Sequence, residues 1–280
     1  MAVVGRSSLW RTLRRRAEPP ATAVTGAAAI EVEGVEKSFG AVRAVNGVSF
    51  RIEPGSLTCL IGPNGAGKST LLHTISGLHR HDAGAIRLGE TDISGWPVHR
   101  RAAAGLGIVL QSTTPVSTLD VLDNVKLGCH AWTRMGFVAG VLRPPGQWRE
   151  EHAIREVARE ALALVGLDGL ASHSAAGLPF GQLRLLAIAR VLAQKPRILL
   201  LDEPVAGLRA AEKEHIVTVF RDLRDRGFTQ LLVEHDMQFV GSVADRVIVL
   251  DQGRVIADGT PEQVRNDAHV VEAYLGTETI

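Results

Sequence analysis

Residues 57–70 read Leu-Thr-Cys-Leu-Ile-Gly-Pro-Asn-Gly-Ala-Gly-Lys-Ser-Thr, a short apolar run that leads directly into a glycine-rich loop. The loop fits the pattern G-x-x-x-x-G-K-[ST], which predicts a strand, a phosphate-binding loop and a helix in that order. Glycines let successive backbone N–H groups point inward at an anion, and the helix adds the positive end of its dipole. A chance glycine-rich turn is the alternative, but the strand and helix patterns on either side favour a phosphate site.

The last residues of this loop have predicted roles in binding a nucleotide. We expect Lys68 to reach the β- and γ-phosphates as a point charge, and the Ser69 hydroxyl to bind Mg²⁺. The predicted nucleotide-binding residues of the loop are Gly62, Pro63, Asn64, Gly65, Ala66, Gly67, Lys68, Ser69 and Thr70. By itself the loop indicates only a nucleotide-binding protein, because GTPases, kinases and helicases share it.

A second apolar run ends in two acidic residues. Residues 197–204 read Arg-Ile-Leu-Leu-Leu-Asp-Glu-Pro, which predicts a strand with both acids at its carboxyl end. There Asp202 can hold Mg²⁺ directly or through water, and Glu203 can polarise the water that attacks the γ-phosphate. The alternative is a strand that simply ends in solvated acids before a proline turn. The phosphate loop earlier in the chain favours the metal and water roles.

The hydrophobic pattern around these motifs predicts an α/β body with a sheet that is buried on both faces. The predicted strands are residues 30–33, 48–52, 57–61, 85–88, 107–110, 198–201, 231–233 and 246–250, and the predicted helices are residues 69–75, 118–127, 150–165, 181–192, 210–226 and 237–243. Thr118 and Asp120 are both candidate N-caps for the helix at 118–127. Residues 136–148 are rich in Gly, Pro and Trp and are interpreted as an irregular excursion.

Composition narrows the class of protein. A formal net charge of +1 gives no basic excess for binding nucleic acid or an anionic membrane. The two cysteines make no disulfide framework, and Cys59 is interpreted as a buried small hydrophobe. The sequence contains no apolar stretch of about 18 residues, so it predicts no transmembrane helix. In a transporter, the membrane-spanning segments would therefore belong to other chains. Residues 1–28 hold five arginines and one acid, and we interpret them as a disordered extension; a targeting or membrane-surface role is the alternative.

From about residue 30 to the C-terminus, an ordered set of residues resembles ATP-binding cassette (ABC) proteins. Phe39 stands where that family places an aromatic side chain that stacks on adenine. Gln111 matches the glutamine of the family's Q-loop, and His235 matches the switch histidine that contacts the γ-phosphate. Residues 178–182, Leu-Pro-Phe-Gly-Gln, stand where the signature motif L-S-G-G-Q belongs. Each of these alone would indicate a core or surface residue, and the order and spacing of the whole set carry the resemblance.

The resemblance implies a site, a fold and two ligands, ATP and Mg²⁺. The fold is a P-loop NTPase core with an antiparallel β portion and a helical subdomain at about residues 112–185, within one domain of residues 29–280. The further nucleotide-binding residues are Phe39, Leu178, Pro179, Phe180, Gly181 and Gln182; the catalytic residues are Gln111, Glu203 and His235; the metal ligands are Ser69, Gln111 and Asp202.

The family also implies a dimer in which the signature helix of one cassette faces the ATP bound by the other. Two departures of this chain from the family pattern bear on the dimer. Pro179 replaces the signature serine, which removes a hydroxyl and a backbone N–H, so we expect weakened but real ATP sandwiching. Arg209 stands where the family usually carries Asp or Asn, so the contacts usual there across the dimer are not predicted.

A finer resemblance points to importers of branched-chain amino acids. It is carried by residues 178–182, 201–208, 231–237, 251–261 and 271–276 and by the insert at 130–150. It implies an ATPase subunit on the cytoplasmic face of the membrane, peripherally bound to transmembrane permease subunits. The further partners are a second ABC subunit, identical or different, and indirectly a periplasmic or extracellular substrate-binding protein, with no nucleic acid. A cassette does not touch the cargo, so urea, amides and other small organic solutes remain alternatives.

Two hypotheses from other functional classes compete with transport. A soluble ABC protein that acts on DNA or ribosomes would predict a long coiled-coil insert, a zinc module or two fused cassettes with a basic surface, and the sequence contains none of these. A regulatory nucleotide-binding module, in which Pro179 has abolished turnover, stays open. A comparison of the ATPase rates of the wild type and Glu203→Gln separates the regulator from the enzyme.

Overall fold

The computed structural model of the protein describes residues 28–112, 114–132 and 147–275. The strands are β1 (Ile30–Phe39), β2 (Val42–Ile52), β3 (Leu57–Ile61), β4 (Ala83–Leu88), β5 (Thr91–Asp92), β6 (Leu106–Val109), β7 (Ile198–Asp202), β8 (Thr229–Val233), β9 (Arg246–Asp251) and β10 (Arg254–Gly259). The helices are α1 (Lys68–Ser76), α2 (Val98–Ala103), α3 (Val121–Lys126), α4 (Gln147–Leu164), α5 (Phe180–Leu192), α6 (Ala210–Asp225), α7 (Met237–Val243), α8 (Pro261–Arg265) and α9 (Ala268–Leu275).

Two sheets build the body of the protein. The larger has the order β10-β9-β3-β8-β7-β6, in which β10 is antiparallel to β9 and the other strands are parallel to their neighbours. The smaller has the order β2-β1-β4-β5 and is antiparallel. The predicted fold class, an α/β core with an antiparallel β portion and helices inserted between β6 and β7, is confirmed.

Alternate residues of the larger sheet point into two separate cores, because successive side chains of a strand face opposite sides. Cys59 lies in the core that the sheet forms with helices α3 to α7. Leu60 lies in the other core, which contains α1 and the antiparallel sheet. Both side chains are fully buried, and burial raises the pKa of the Cys59 thiol. The sheet is therefore buried on both faces, as predicted.

The strand order brings four chain segments to one edge of the larger sheet. Strands β3, β8, β7 and β6 are consecutive neighbours and run parallel, so the residues that follow them meet at their carboxyl ends. Open parallel sheets bind their ligands at this edge. The phosphate loop follows β3 and Gln111 follows β6, while the two acids and His235 belong to the ends of β7 and β8.

The helix predicted at 118–127 is shorter than expected. Helix α3 begins at Val121, and its N-cap is Asp120, whose Oδ1 accepts a hydrogen bond from the N–H of Asp123 at 2.6 Å. The backbone before it is held in an extended bridge between Asp120 and Ser174, which competes with an earlier helical start. Thr118 therefore precedes the helix and does not cap it.

Two other boundaries can be compared with their predictions. Helix α4 begins at Gln147, inside the segment 136–148 that the sequence predicts to be irregular; residues 136–146 of that segment lie outside the described residues. Ala28, the last residue of the predicted disordered extension, is buried and its carbonyl accepts a hydrogen bond from the Thr229 hydroxyl at 3.0 Å, so the packed body includes residue 28. The predicted disorder of residues 1–27 lies outside the described residues.

Across the described ranges, no helix combines the length and apolarity that crossing a bilayer requires.

A buried arginine holds the carboxyl end of α1. Arg101 is 1% exposed, and its guanidinium donates hydrogen bonds to the carbonyls of Thr74 and Ile75 at 2.9 and 2.7 Å. It also donates to the carbonyls of Ser94 and Trp96, at 2.8 and 3.0 Å. The last carbonyls of a helix have no partner within it, and a cation there also complements the helix dipole. Arg101 thus anchors the helix that starts at the phosphate loop.

We expect Arg101→Met to lower the free energy of unfolding by about 3 kcal/mol or more, because several buried carbonyl groups lose their hydrogen-bond donor. Arg100→Met is the matched control. Arg100 is exposed and its guanidinium lies 4.1 Å from the centroid of the Trp96 ring, a contact that contributes about 1 kcal/mol or less. Urea unfolding of the three proteins measures both losses, and equal losses would contradict the proposed anchoring.

Candidate active site

The phosphate loop connects β3 to α1 and carries its own cation. The Lys68 ammonium donates hydrogen bonds to the carbonyls of Gly62 and Pro63, at 2.8 and 2.9 Å. The Lys68 side chain is buried, and burial lowers its pKa, while the charges of Glu203 and Asp202 act in the opposite direction. The positive charge is therefore held against the backbone of the phosphate loop, and its contact with a phosphate stays a prediction.

Two glycines of the loop are required by close backbone packing. A Cβ atom at Gly62 would lie 1.9 Å from the carbonyl oxygen of Leu250, and one at Gly67 would lie 2.0 Å from that of Ala44. Both glycines also have positive φ angles, 146° and 98°, which L side chains rarely adopt. The loop therefore packs closely between the end of β9 and the beginning of β2.

The turn between β9 and β10 supports the same loop. The N–H of Gly253 donates to the carbonyl of Ala66 at 3.0 Å, and the carbonyl of Gly253 accepts from the N–H of Asn46 at 2.8 Å. The phosphate loop therefore has neighbours in both sheets, and its backbone conformation depends on both.

Asp202 lies beside the first turn of α1. Its Oδ1 accepts a hydrogen bond from the Ser69 hydroxyl at 3.1 Å, and its Oδ2 lies 3.4 Å from Nε2 of His73. The two predicted metal ligands, Ser69 and Asp202, are therefore in contact. Sequence reasoning missed His73, although Ser69 and His73 are four residues apart and share one face of the helix.

The three predicted catalytic residues meet at the carboxylate of Glu203. Its Oε2 accepts a hydrogen bond from Nε2 of Gln111 at 2.7 Å, and its Oε1 lies 3.8 Å from Nδ1 of His235. Glu203 has a left-handed backbone, with φ of 47°, and its N–H donates to the carbonyl of Val233 at 3.0 Å. Gln111 was also predicted as a metal ligand; in this structure its amide group contacts Glu203.

Phe39 presents an exposed aromatic ring at the end of β1. The ring is 48% exposed and lies edge-on to His79, with 5.3 Å between the centroids. Lys37 Nζ lies 5.3 Å from the same centroid, and His79 in turn lies 5.4 Å from the ring of His73. A row of rings therefore leads from the predicted adenine platform to the carboxylate of Asp202.

The signature segment opens α5. Pro179 occupies the N-cap position and makes no side-chain capping hydrogen bond. Gly181 is buried so closely that an added Cβ would lie 2.6 Å from Oε1 of Glu212. Phe180 remains 50% exposed. The other two predicted residues flank these: Leu178 packs against the helical core, and Gln182 lies in the first turn of α5.

Glu234 is a buried carboxyl group that sequence reasoning also missed. Its Oε1 accepts a hydrogen bond from the N–H of Val205 at 3.0 Å, and its Oε2 accepts one from the N–H of His235 at 3.3 Å. Burial raises the pKa of Glu234 to about 7, and the two hydrogen bonds act in the opposite direction. An acid that directly follows an apolar strand, as Asp202 does, was the signal available in the sequence.

The oxygen groups at this edge suit magnesium. Mg²⁺ binds few protein oxygens and keeps water and phosphate oxygens as its other ligands. The Ser69 hydroxyl and the Asp202 carboxylate provide such a pair. Among the described residues, no group of three or more His, Cys, Asp or Glu side chains is placed to enclose a metal, so a site made of protein ligands alone is not formed there.

Two family models match parts of the sequence. A family model described as ABC transporter matches residues 45–206, and a second, described as branched-chain amino acid ATP-binding cassette transporter, matches residues 254–279. The chain is 39% identical over 248 residues to the high-affinity branched-chain amino acid transport ATP-binding protein BraF of Pseudomonas aeruginosa. That match covers 88% of this chain and 97% of BraF.

Solved structures show the same fold. The chain is similar, with a TM-score of 0.78 and 30% identity, to an ATP-binding cassette of an ABC transporter in its ADP conformation; the match covers 89% of this chain and 99% of that one. It is also similar to a dimeric cassette in a post-hydrolysis state bound to ADP and phosphate, with a TM-score of 0.69 and 26% identity. This second match covers 83% of the chain and 98% of the cassette.

The raised pKa of Glu234 predicts a pH-dependent stability. The ordinary pKa is 4.5 and the folded value is about 7, so between these values the folded state binds more protons than the unfolded state. Relative to Glu234→Gln, the wild type should therefore lose on the order of 3 kcal/mol of unfolding free energy as the pH rises from about 4 to 8. Urea unfolding across this range measures the difference.

Glu160→Gln, a change of an exposed side chain, is the control for replacing a carboxylate by an amide. A constant difference between the wild type and Glu234→Gln across the range would show that the folded pKa of Glu234 is ordinary.

Proposed function

Because this chain belongs to the ABC transporter family and is one of its ATPases, we propose that it powers the uptake of branched-chain amino acids. The observation that carries the proposal is the C-terminal segment, residues 254–279, which matches the model named for transporters of these amino acids. The similarity to BraF extends over almost the whole of both chains and supports the same cargo.

We assign the binding of MgATP to the phosphate loop and its neighbours. The loop N–H groups and Lys68 would bind the phosphates, and Phe39 would stack on adenine. Ser69, Asp202 and, once ATP is bound, Gln111 would hold Mg²⁺. The ion would neutralise charge on the phosphate oxygens. The contact between Ser69 and Asp202 supports this assignment.

The carboxylate of Glu203 is the group that we assign to water activation. The water oxygen attacks the γ-phosphorus in line, the bond to the bridging oxygen of ADP breaks, and Glu203 accepts the proton of the water as general base. The products are ADP and inorganic phosphate. Gln111 and His235, which lie on either side of this carboxylate, would sense the γ-phosphate.

We infer that two cassettes pair, with the signature segment of each facing the ATP bound by the other. The positive end of α5 would then point at the γ-phosphate. The similarity of the chain to a solved dimeric cassette supports this arrangement. Pro179 offers no N–H to the phosphate, so the contact should be weaker than in a serine-containing signature.

The remaining partners follow from the transporter role. We propose that permease subunits dock near Gln111 and the helical subdomain at about residues 112–185, which places the protein peripherally on the cytoplasmic face of the membrane. A periplasmic or extracellular binding protein would deliver the cargo to the permease. Urea, amides and other small organic solutes are the second candidate cargo, because the ATPase residues do not contact the transported molecule.

We expect Glu203→Gln to lower the ATPase kcat by roughly 10²-fold or more and to leave ATP binding intact, because the amide cannot accept the proton of the water. Phosphate release and ATP binding are measured separately, with Glu160→Gln as the control that keeps wild-type kcat. If the wild type and Glu203→Gln share the same near-zero rate, the protein is a regulatory nucleotide-binding module and no hydrolase.

Uptake of labelled leucine tests the cargo. In cells that lack this gene, the wild-type gene should restore uptake and Lys68→Ala should not, because the phosphate contact is lost. If deletion leaves leucine uptake unchanged, the branched-chain assignment is wrong. Labelled urea and short amides are then the next substrates, and loss of their uptake in the deletion strain would identify the cargo.

A further inference from the structure

A chain of contacts leads from the signature helix to the carboxylate of Glu203. Arg184 lies one turn after Phe180 on α5, and its guanidinium carbon is 5.0 Å from the centroid of the Phe180 ring. A guanidinium over an aromatic face is held by electrostatic attraction and by packing. The pair therefore sets the direction in which the Arg184 side chain leaves the helix.

The guanidinium of Arg184 then reaches the Q-loop. Its Nη1 donates a hydrogen bond to the carbonyl of Gln111. The side chain of the same glutamine donates to Oε2 of Glu203 at 2.7 Å. Arg184 is thus joined to the proposed general base through the backbone and the side chain of Gln111.

Arg184 also lies in the electric field of the carboxylates. Burial lowers its pKa, and the charges of Glu203 and Glu234 act in the opposite direction. Among the described residues, its Nε is buried without a hydrogen-bond partner. A buried donor without a partner is costly, and an apolar side chain would fill the same space without that cost. Packing alone therefore does not explain an arginine here.

Phe180 fixes the other end of this series of contacts. A Cβ added to Gly207 would lie 3.4 Å from Cε1 of Phe180, so the ring lies over the turn that follows the Glu203 segment. In the signature L-S-G-G-Q this position is a glycine, which would offer Arg184 no ring. The departure from the family pattern at residue 180 thus supplies the platform on which Arg184 rests.

Glu203 needs such a restraint more than an ordinary strand residue does. Its left-handed backbone turns the side chain out of the direction that a strand would give it. Gln111 lies in a turn beyond the end of β6 and so has no strand partner to fix its own position. We infer that Arg184, resting on Phe180, is a positioning residue that fixes Gln111 and, through it, the Glu203 carboxylate. This inference rests on the proposed ATPase mechanism.

Arg184→Met tests the inference, since methionine keeps much of the length and loses the hydrogen bond. We expect kcat for ATP hydrolysis to fall roughly tenfold, because a displaced catalytic group is ineffective, while the Kd for ATP is unchanged. Arg221→Met is the matched control. Arg221 also donates hydrogen bonds to a single backbone carbonyl, that of Ser242, but on the outer side of α6, and its loss should leave kcat unchanged.

A double-mutant cycle with Gln111→Ala separates positioning from simple packing. If Arg184 acts through the Gln111 side chain, Arg184→Met should add little to the loss caused by Gln111→Ala. Phe180→Ala should lower kcat in the direction of Arg184→Met, and Phe180→Tyr, which retains the ring under Arg184, should lower it less.

Several results would overturn the inference: an unchanged or raised kcat in Arg184→Met, a change confined to the Kd for ATP, or fully additive losses with Gln111→Ala. Failure of the inference is distinct from failure of the proposed function. If Glu203→Gln is inactive and Arg184→Met matches the wild type, only the positioning role is wrong. If Glu203→Gln matches the wild type, the proposed hydrolytic mechanism itself is wrong.

Discussion

The conformation of the phosphate loop depends on two backbone contacts, at Gly62 and Gly67, that leave no room for a side chain. Gly62 lies against the carbonyl of Leu250 in β9, and Gly67 lies against that of Ala44 in β2. Because β9 belongs to the larger sheet and β2 to the smaller, antiparallel sheet, the phosphate loop contacts both sheets. Its N–H groups are therefore oriented by the packing of the whole domain before any phosphate arrives. Donors that are oriented in advance need no reorganisation during the reaction.

The parallel sheet explains why the other chemical groups gather around this loop. Consecutive neighbours β3, β8, β7 and β6 deliver one segment each to the same edge, although these segments are far apart in the sequence. The positive charge of Lys68 lies near the carboxylates of Glu203 and Asp202, which partly offset the lowering of the Lys68 pKa by burial. The signature segment is attached differently, at the start of a helix in the inserted region, which suits a group that we expect to serve the nucleotide of another cassette.

The sequence alone indicates where site residues lie whenever a motif coincides with the end of a predicted strand. Lys68, Ser69, Asp202 and Glu203 could be predicted because a parallel sheet leaves one place for them. The contact between Gln111 and Glu203 could not be predicted, since it depends on a turn beyond β6. The same is true of Arg184 and Glu234, because hydrophobic periodicity does not give the rotation of α5 relative to the sheet or the depth of a strand end. At α3 a tertiary bridge at Asp120 overrode local helix preference, and no local pattern reports such a bridge.

At Glu203, the residue that the backbone conformation favours differs from the residue that the proposed hydrolysis needs. A left-handed conformation costs a residue with a side chain roughly 1 kcal/mol or more relative to glycine, which adopts it freely. Glycine at this position would therefore make the domain more stable and would remove the carboxylate that we assign to hydrolysis. Selection for thermal stability alone would drive the position toward an inactive enzyme. In the mechanism that we propose, the glutamate is kept for hydrolysis, although the backbone conformation alone would favour glycine directly after β7.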